Sequence, residues 1–155
     1  MKKLLTSILL FLLGTFQVMA VSDVNKEFSE MEVLKKKNIK SPLVGIWQLY
    51  GVRMTGKEWN KGFSVYLKVL SSDGTFRNLT FDGQLFKINR QGVFYVQSDK
   101  VYVECIDNTI HDDVLANKEN RIEYTFSDNK NELTITYTMP GQPYPWSEKW
   151  IRVIP

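Results

Sequence analysis

From Leu43 onward, apolar and polar positions alternate with a period of two, the mark of strands with one buried and one solvated face. Two segments show it most clearly. Ile122, Tyr124 and Phe126 alternate with Arg121, Glu123 and Thr125, and Leu133, Ile135, Tyr137 and Met139 alternate with Thr134, Thr136 and Thr138. The pattern predicts strands over 43–54, 62–71, 75–81, 92–98, 101–107, 120–127, 132–139 and 146–154. No amphipathic helix of ordinary length follows residue 40, which excludes βαβ units and favours antiparallel pairing.

The connections carry further information. Ser72-Asp73-Gly74, Ser98-Asp99-Lys100 and Asp128-Asn129-Lys130-Asn131 have the composition of tight hairpin turns. Those at 55–61, 82–91, 108–119 and 140–145 are longer. Long and short connections alternate, so a meander places every tight turn at one end and every long loop at the other. Eight strands can close on themselves and leave no exposed edge. A separate ninth strand at 84–90 would make the last strand parallel to the first, so Gln84–Arg90 is read as an extension or loop, with a bulge at Asp82-Gly83. The predicted fold is all-β: an eight-stranded antiparallel up-and-down barrel, closed at one end and looped at the other.

The first twenty residues follow a different rule. Lys2 and Lys3 precede an apolar run from Leu4 to Leu13, and a small-residue site ends at Ala20. A run of about ten apolar residues is the core of an export signal, whereas a spanning helix needs roughly 20. Residues 1–20 are therefore expected to be a signal peptide cleaved after Ala20, with the protein in the periplasm or outside the cell. Residues 21–42 are charged and sparsely apolar, a polar linker or short helix, and 43–155 form the barrel domain. Removing 1–20 takes away two Lys and no acid, so the net charge falls from +3 to +1 on the remaining 135 residues. The apparent basic excess largely disappears, and with it the case for a nucleic-acid partner. The single Cys105 forbids an internal disulfide and is expected to be a small buried hydrophobe.

Gly45-Ile46-Trp47 opens the first strand and Arg152 lies in the last. A Gly-x-Trp on strand one with an Arg on the final strand resembles the lipocalin (calycin) pattern, as does the order of long and short loops. Over most of 43–153 the chain is also similar to a narrower group, lipocalin-like secreted domains of unknown function from Gram-negative gut bacteria. The segments carrying this likeness are Gly45–Leu49, Val69–Asn78, Tyr102–Glu104 and Glu148–Val153. The Thr-Asp-Tyr motif and the disulfide of typical lipocalins are absent. The resemblance implies that Trp47 closes the barrel floor with Arg152 packed across it.

If those two meet, inward positions follow at every second residue. Strand one presents Leu49, Gly51 and Arg53; the last strand presents Trp150, Glu148 and Trp146. Glu148 would stand about 13 Å above the floor and Arg53 about 20 Å above it. Gly51 would lie beside Trp150 or Glu148 and leave room for an indole or a ligand. The expected ligand-binding set is Leu49, Arg53, Tyr124, Ile135, Tyr137, Glu148 and Trp150, an apolar wall with a few polar handles.

Catalytic and metal constellations are scarce. His111 is the only histidine, which removes His-rich metal sites and leaves a Ser/His/Asp triad without support. There is no Gly-rich phosphate cradle. Glu104 and Glu148 form the one carboxylate pair worth locating, and Asn78-Leu79-Thr80 is a glycosylation sequon by pattern. No cofactor or metal is expected, and the residues point away from an enzyme. The leading expectation is a secreted binding module for a small apolar or amphipathic molecule. The alternative is a protein-binding or structural envelope module using the open-end loop Pro140–Trp146. A lipid-embedded barrel would turn Arg121, Glu123, Thr134, Thr136 and Thr138 towards lipid, so the chain is not expected to be membrane-integral.

Overall fold

A computed structural model of the chain describes residues 38–61, 65–109 and 114–154. The expected signal peptide, most of the expected polar linker and His111 lie outside the described residues. Eight strands follow one another: β1 (Gly45–Met54), β2 (Tyr66–Leu70), β3 (Thr75–Phe81), β4 (Phe86–Val96), β5 (Val101–Thr109), β6 (Glu119–Phe126), β7 (Glu132–Tyr137) and β8 (Trp146–Ile154). Each pairs antiparallel with the next, and β8 returns to β1, closing the barrel in chain order. The all-β, eight-stranded up-and-down architecture read from the sequence is the one observed.

Turn chemistry fixes the registers. In the β2–β3 turn, the Asp73 carboxylate accepts the Thr75 N–H at 2.9 Å and the Thr75 hydroxyl at 2.7 Å, while Gly74 takes a φ of 84°. A left-handed φ is cheap only for glycine. The β3–β4 connection is shorter than the sequence suggests. Asp82 accepts the N–H groups of Gln84 and Leu85, Gly83 adopts a φ of 99°, and β4 begins at Phe86. Residues 84–90 thus belong mostly to β4 as an extension. The irregularity falls between Asn78 and Leu79, opposite Asn89, and not at Asp82-Gly83.

One further irregularity matters for the site. Leu49 pairs with Trp150, but Gly51 pairs with Lys149, so Tyr50 is an extra residue in β1. Such a bulge flips the strand's parity. Beyond it Val52 opposes Glu148 and Arg53 opposes Ser147. Gly51 therefore shares the outer face with Lys149. A Cβ there would meet the Asn60 carbonyl oxygen at 2.9 Å, because Asn60 folds back to bridge Val52. The glycine makes room for main chain on the outside, and not for an indole or ligand within.

The core fills the tight-turn end. Trp47, Phe94, Tyr102 and Leu133 are fully buried, with Phe126 packed on Trp47 at 5.9 Å between ring centroids. The Trp47 indole N–H donates to the Leu43 carbonyl at 2.8 Å, and the Arg152 guanidinium lies 4.0 Å from the Trp47 ring centroid. Arg152 also donates to the carbonyls of Pro42, Val44 and Lys130, tying three segments across the floor. Cys105 is half-buried and not fully buried as expected.

Candidate functional site

Above this floor the barrel encloses a cavity of about 650 Å3. The β6–β7 ladder runs only from Glu123–Thr136 to Phe126–Leu133, so Glu119–Ile122 extend past the paired ladder at the looped end. Glu119 to Glu123 of β6 line the cavity there, together with Thr136, Tyr137, Thr138 and Pro140.

Four of the seven sequence-predicted ligand residues line this space: Ile135, Tyr137, Glu148 and Trp150. The Glu148 carboxylate accepts the Tyr137 hydroxyl at 2.7 Å and the Trp150 indole N–H at 2.9 Å. Both neighbours are neutral donors. The other three lie elsewhere. Leu49 packs into the core. Tyr124 is buried between Tyr102 and Phe126, with its hydroxyl on the Ser98 carbonyl at 3.1 Å, so it belongs to the tight-turn end. Arg53 does not face inward: the bulge at Tyr50 turns it outside, where its guanidinium lies 4.4 Å from the Trp59 ring centroid.

Among the deepest polar groups, Glu104 was singled out from the sequence, whereas Lys68 and Asn78 carry no signal in the alternation pattern. Lys68 is 2% exposed and Glu104 5% exposed, and they form an ion pair at 2.6 Å. The Tyr102 hydroxyl also donates to Glu104, at 3.0 Å. The Lys68 ammonium sits 5.6 Å from the Phe76 ring centroid and 5.7 Å from that of Trp150. Asn78, paired with Lys68 across the β2–β3 ladder, is 4% exposed, and its Oδ1 accepts no hydrogen bond. Its burial also places the sequon asparagine inside the barrel, out of reach of glycan attachment in the folded state. Tyr66 accepts from Asn89 at 2.9 Å, and Arg90 lines the same space.

Burial raises the hydroxyl pKa of Tyr66, Tyr102 and Tyr137 above the ordinary tyrosine range. Beside Tyr102 the Glu104 carboxylate, and beside Tyr137 the Glu148 carboxylate, push the same way. These hydroxyls remain protonated donors at any physiological pH. A folded pKa above the unfolded one gives stability that is full below the unfolded value and is lost as pH rises through the folded value. Stability is therefore expected to fall as pH climbs above about 10, the ordinary tyrosine pKa. Absorbance at 295 nm should show a tyrosine fraction that ionises only as the β-sheet circular dichroism collapses. Smooth ionisation of all tyrosines with the fold intact would contradict the burial.

The fold and cavity define a class: a closed antiparallel β-barrel with a polar-lined interior open at one end. Within that class, a family model described as Domain of unknown function (DUF4488) matches residues 42–155, and the chain belongs to that family. No curated protein matches it. Among the described residues no helix is long and apolar enough to cross a membrane, and no cluster of three or more His, Cys, Asp or Glu is placed to hold a metal ion.

Proposed function

We propose that the protein is an exported, lipocalin-like binding module that holds a small amphipathic molecule inside its barrel. The observation carrying this reading is the cavity of about 650 Å3, which combines apolar walls with convergent polar side chains. That size and that mixture fit a small-molecule pocket. Ile135, Tyr137, Glu148 and Trp150 are the contact residues from the original set. Trp47 and Arg152 hold the floor, which keeps the space from collapsing. The signal-like residues 1–20 support export to the periplasm or beyond, and the near-neutral remainder supports no nucleic-acid role. The reaction-free reading rests on the surroundings of Glu104, paired with Lys68, and of Glu148, held by two neutral donors.

The test is titration with the neutral fluorescent probe N-phenyl-1-naphthylamine. Saturable enhancement at one site per chain is expected in the native protein. Ile135 is 1% exposed and borders the cavity, so Ile135→Trp should abolish the enhancement by filling the space while the far-ultraviolet spectrum is kept. Equal enhancement in the variant would place the probe elsewhere.

A second reading, docking of a protein partner, has one observation in its favour. Leu85, Phe86 and Ile88 at the β3–β4 tip are 53%, 47% and 41% exposed. Replacing Leu85 and Phe86 with Ser should leave probe binding unchanged, and loss of probe binding would tie that tip to the cavity instead.

A further inference from the structure

The cavity's hydrogen bonds leave acceptor capacity unused at three residues. Asn78 Oδ1 is buried and accepts nothing. A buried acceptor left without a donor loses its hydration and gains nothing in return. Glu104 spends one oxygen, Oε1, on both Lys68 and Tyr102. Glu148 takes two neutral donors, one on each oxygen, so each oxygen keeps a free lone pair. All three residues border the same cavity. Each of the three can take a further donor.

Charge narrows the choice of occupant. The buried ammonium of Lys68 already has its carboxylate in Glu104, and Arg90 lines the cavity together with Glu148. Cations and anions are balanced in number among these four. A charged head would meet one group of its own sign for every partner it gained. A neutral head with several hydroxyls meets no such penalty: it supplies O–H donors to the acceptors, and its oxygens accept hydrogen bonds from the Lys68 ammonium, which has N–H groups to spare.

We infer that the polar end of the cavity, built around Asn78, Lys68 and Glu148, is a site for a neutral polyhydroxylated head group. This rests on the binding-module reading above and names the chemistry of its ligand.

Four probes with eight-carbon chains and different heads test it by titration calorimetry, each below its micelle-forming concentration or, for the alcohol, its solubility limit. They are n-octyl-β-D-glucopyranoside, 1-octanol, n-octylammonium and octanoate. The glucopyranoside is expected to bind about tenfold or more tightly than any of the other three. Asn78→Leu should reduce that preference to about threefold or less, since it removes the orphan acceptor. The same variant should be at least as resistant to urea as the native protein, because an unsatisfied buried group is replaced by an apolar one. That separates lost recognition from lost folding. Equal binding of all four heads would overturn the head-group assignment while the binding module stands. So would tightest binding of octanoate or octylammonium, or a preference unaltered in the folded Asn78→Leu protein. If no probe binds, the assignment falls together with the binding-module reading.

Discussion

Replacing Glu104 with Leu should cost about 3–5 kcal/mol, the usual penalty for leaving one member of a buried ion pair without its partner. Lys68 would remain 2% exposed with its carboxylate partner gone, and the Tyr102 hydroxyl would lose its acceptor at the same time. Lys68→Met should cost a comparable amount by stranding Glu104. The double replacement should recover most of the loss, because an apolar pair of similar volume replaces two charges that were expensive to desolvate. A domain of this size has a total stability of about 5–15 kcal/mol, so each single variant should show a clearly lowered urea midpoint. The cycle therefore yields a large coupling energy from three variants and the native protein. Independent, additive losses would mean that the two side chains do not meet.

Trp47→Ala should be similarly severe, at about 3–5 kcal/mol. The indole is fully buried, packs against Phe126, lies under the Arg152 guanidinium and donates to the Leu43 carbonyl. Truncation opens a void at the floor and removes the ring on which Arg152 rests, at the point where that arginine ties Pro42, Val44 and Lys130 together. Trp47→Phe keeps most of the packing and loses the Leu43 bond, so it should cost only about 1–2 kcal/mol. Chemical denaturation of the two variants checks both the size and the order. An alanine variant as stable as the phenylalanine one would show that the floor is not load-carrying.

How far the sequence reaches can be seen residue by residue. Loop parity was enough for the barrel, because tight turns advertise themselves through Asp73-Gly74 and Asn129-Lys130, whose side-chain bonds and left-handed φ values are local chemistry. The alternation on β6 and β7 correctly faced Ile122, Tyr124, Leu133 and Ile135 inward. Arg53 was misplaced because counting by twos assumes an unbroken strand, and the extra residue Tyr50 carries no sequence signal strong enough to reveal the bulge. Lys68 and Asn78 were missed for the opposite reason. A lysine and an asparagine on alternating strands are normally assigned to solvent, yet here β2 and β3 turn Lys68 and Asn78 in while Leu67, Val69 and Leu79 stay only partly covered. The signal existed in the hairpin register. Once the Ser71–Gly74 turn pairs Leu70 with Phe76, Lys68 must oppose Asn78 on the same inner face. A polar cavity inverts the usual pattern, and a reading that assumes an apolar interior overlooks it.

The central claim is that the space above the floor accepts a small molecule, and two indoles allow it to be tested directly. The Trp150 N–H donates to Glu148 at the cavity wall, whereas the Trp47 N–H donates to Leu43 beneath it. In 15N-labelled protein, titration with n-octyl-β-D-glucopyranoside below its micelle-forming concentration should shift the Trp150 indole resonance saturably at one equivalent and leave that of Trp47 in place. A Trp150 resonance that stays fixed throughout the titration, or one that moves in step with Trp47, would contradict an occupied cavity.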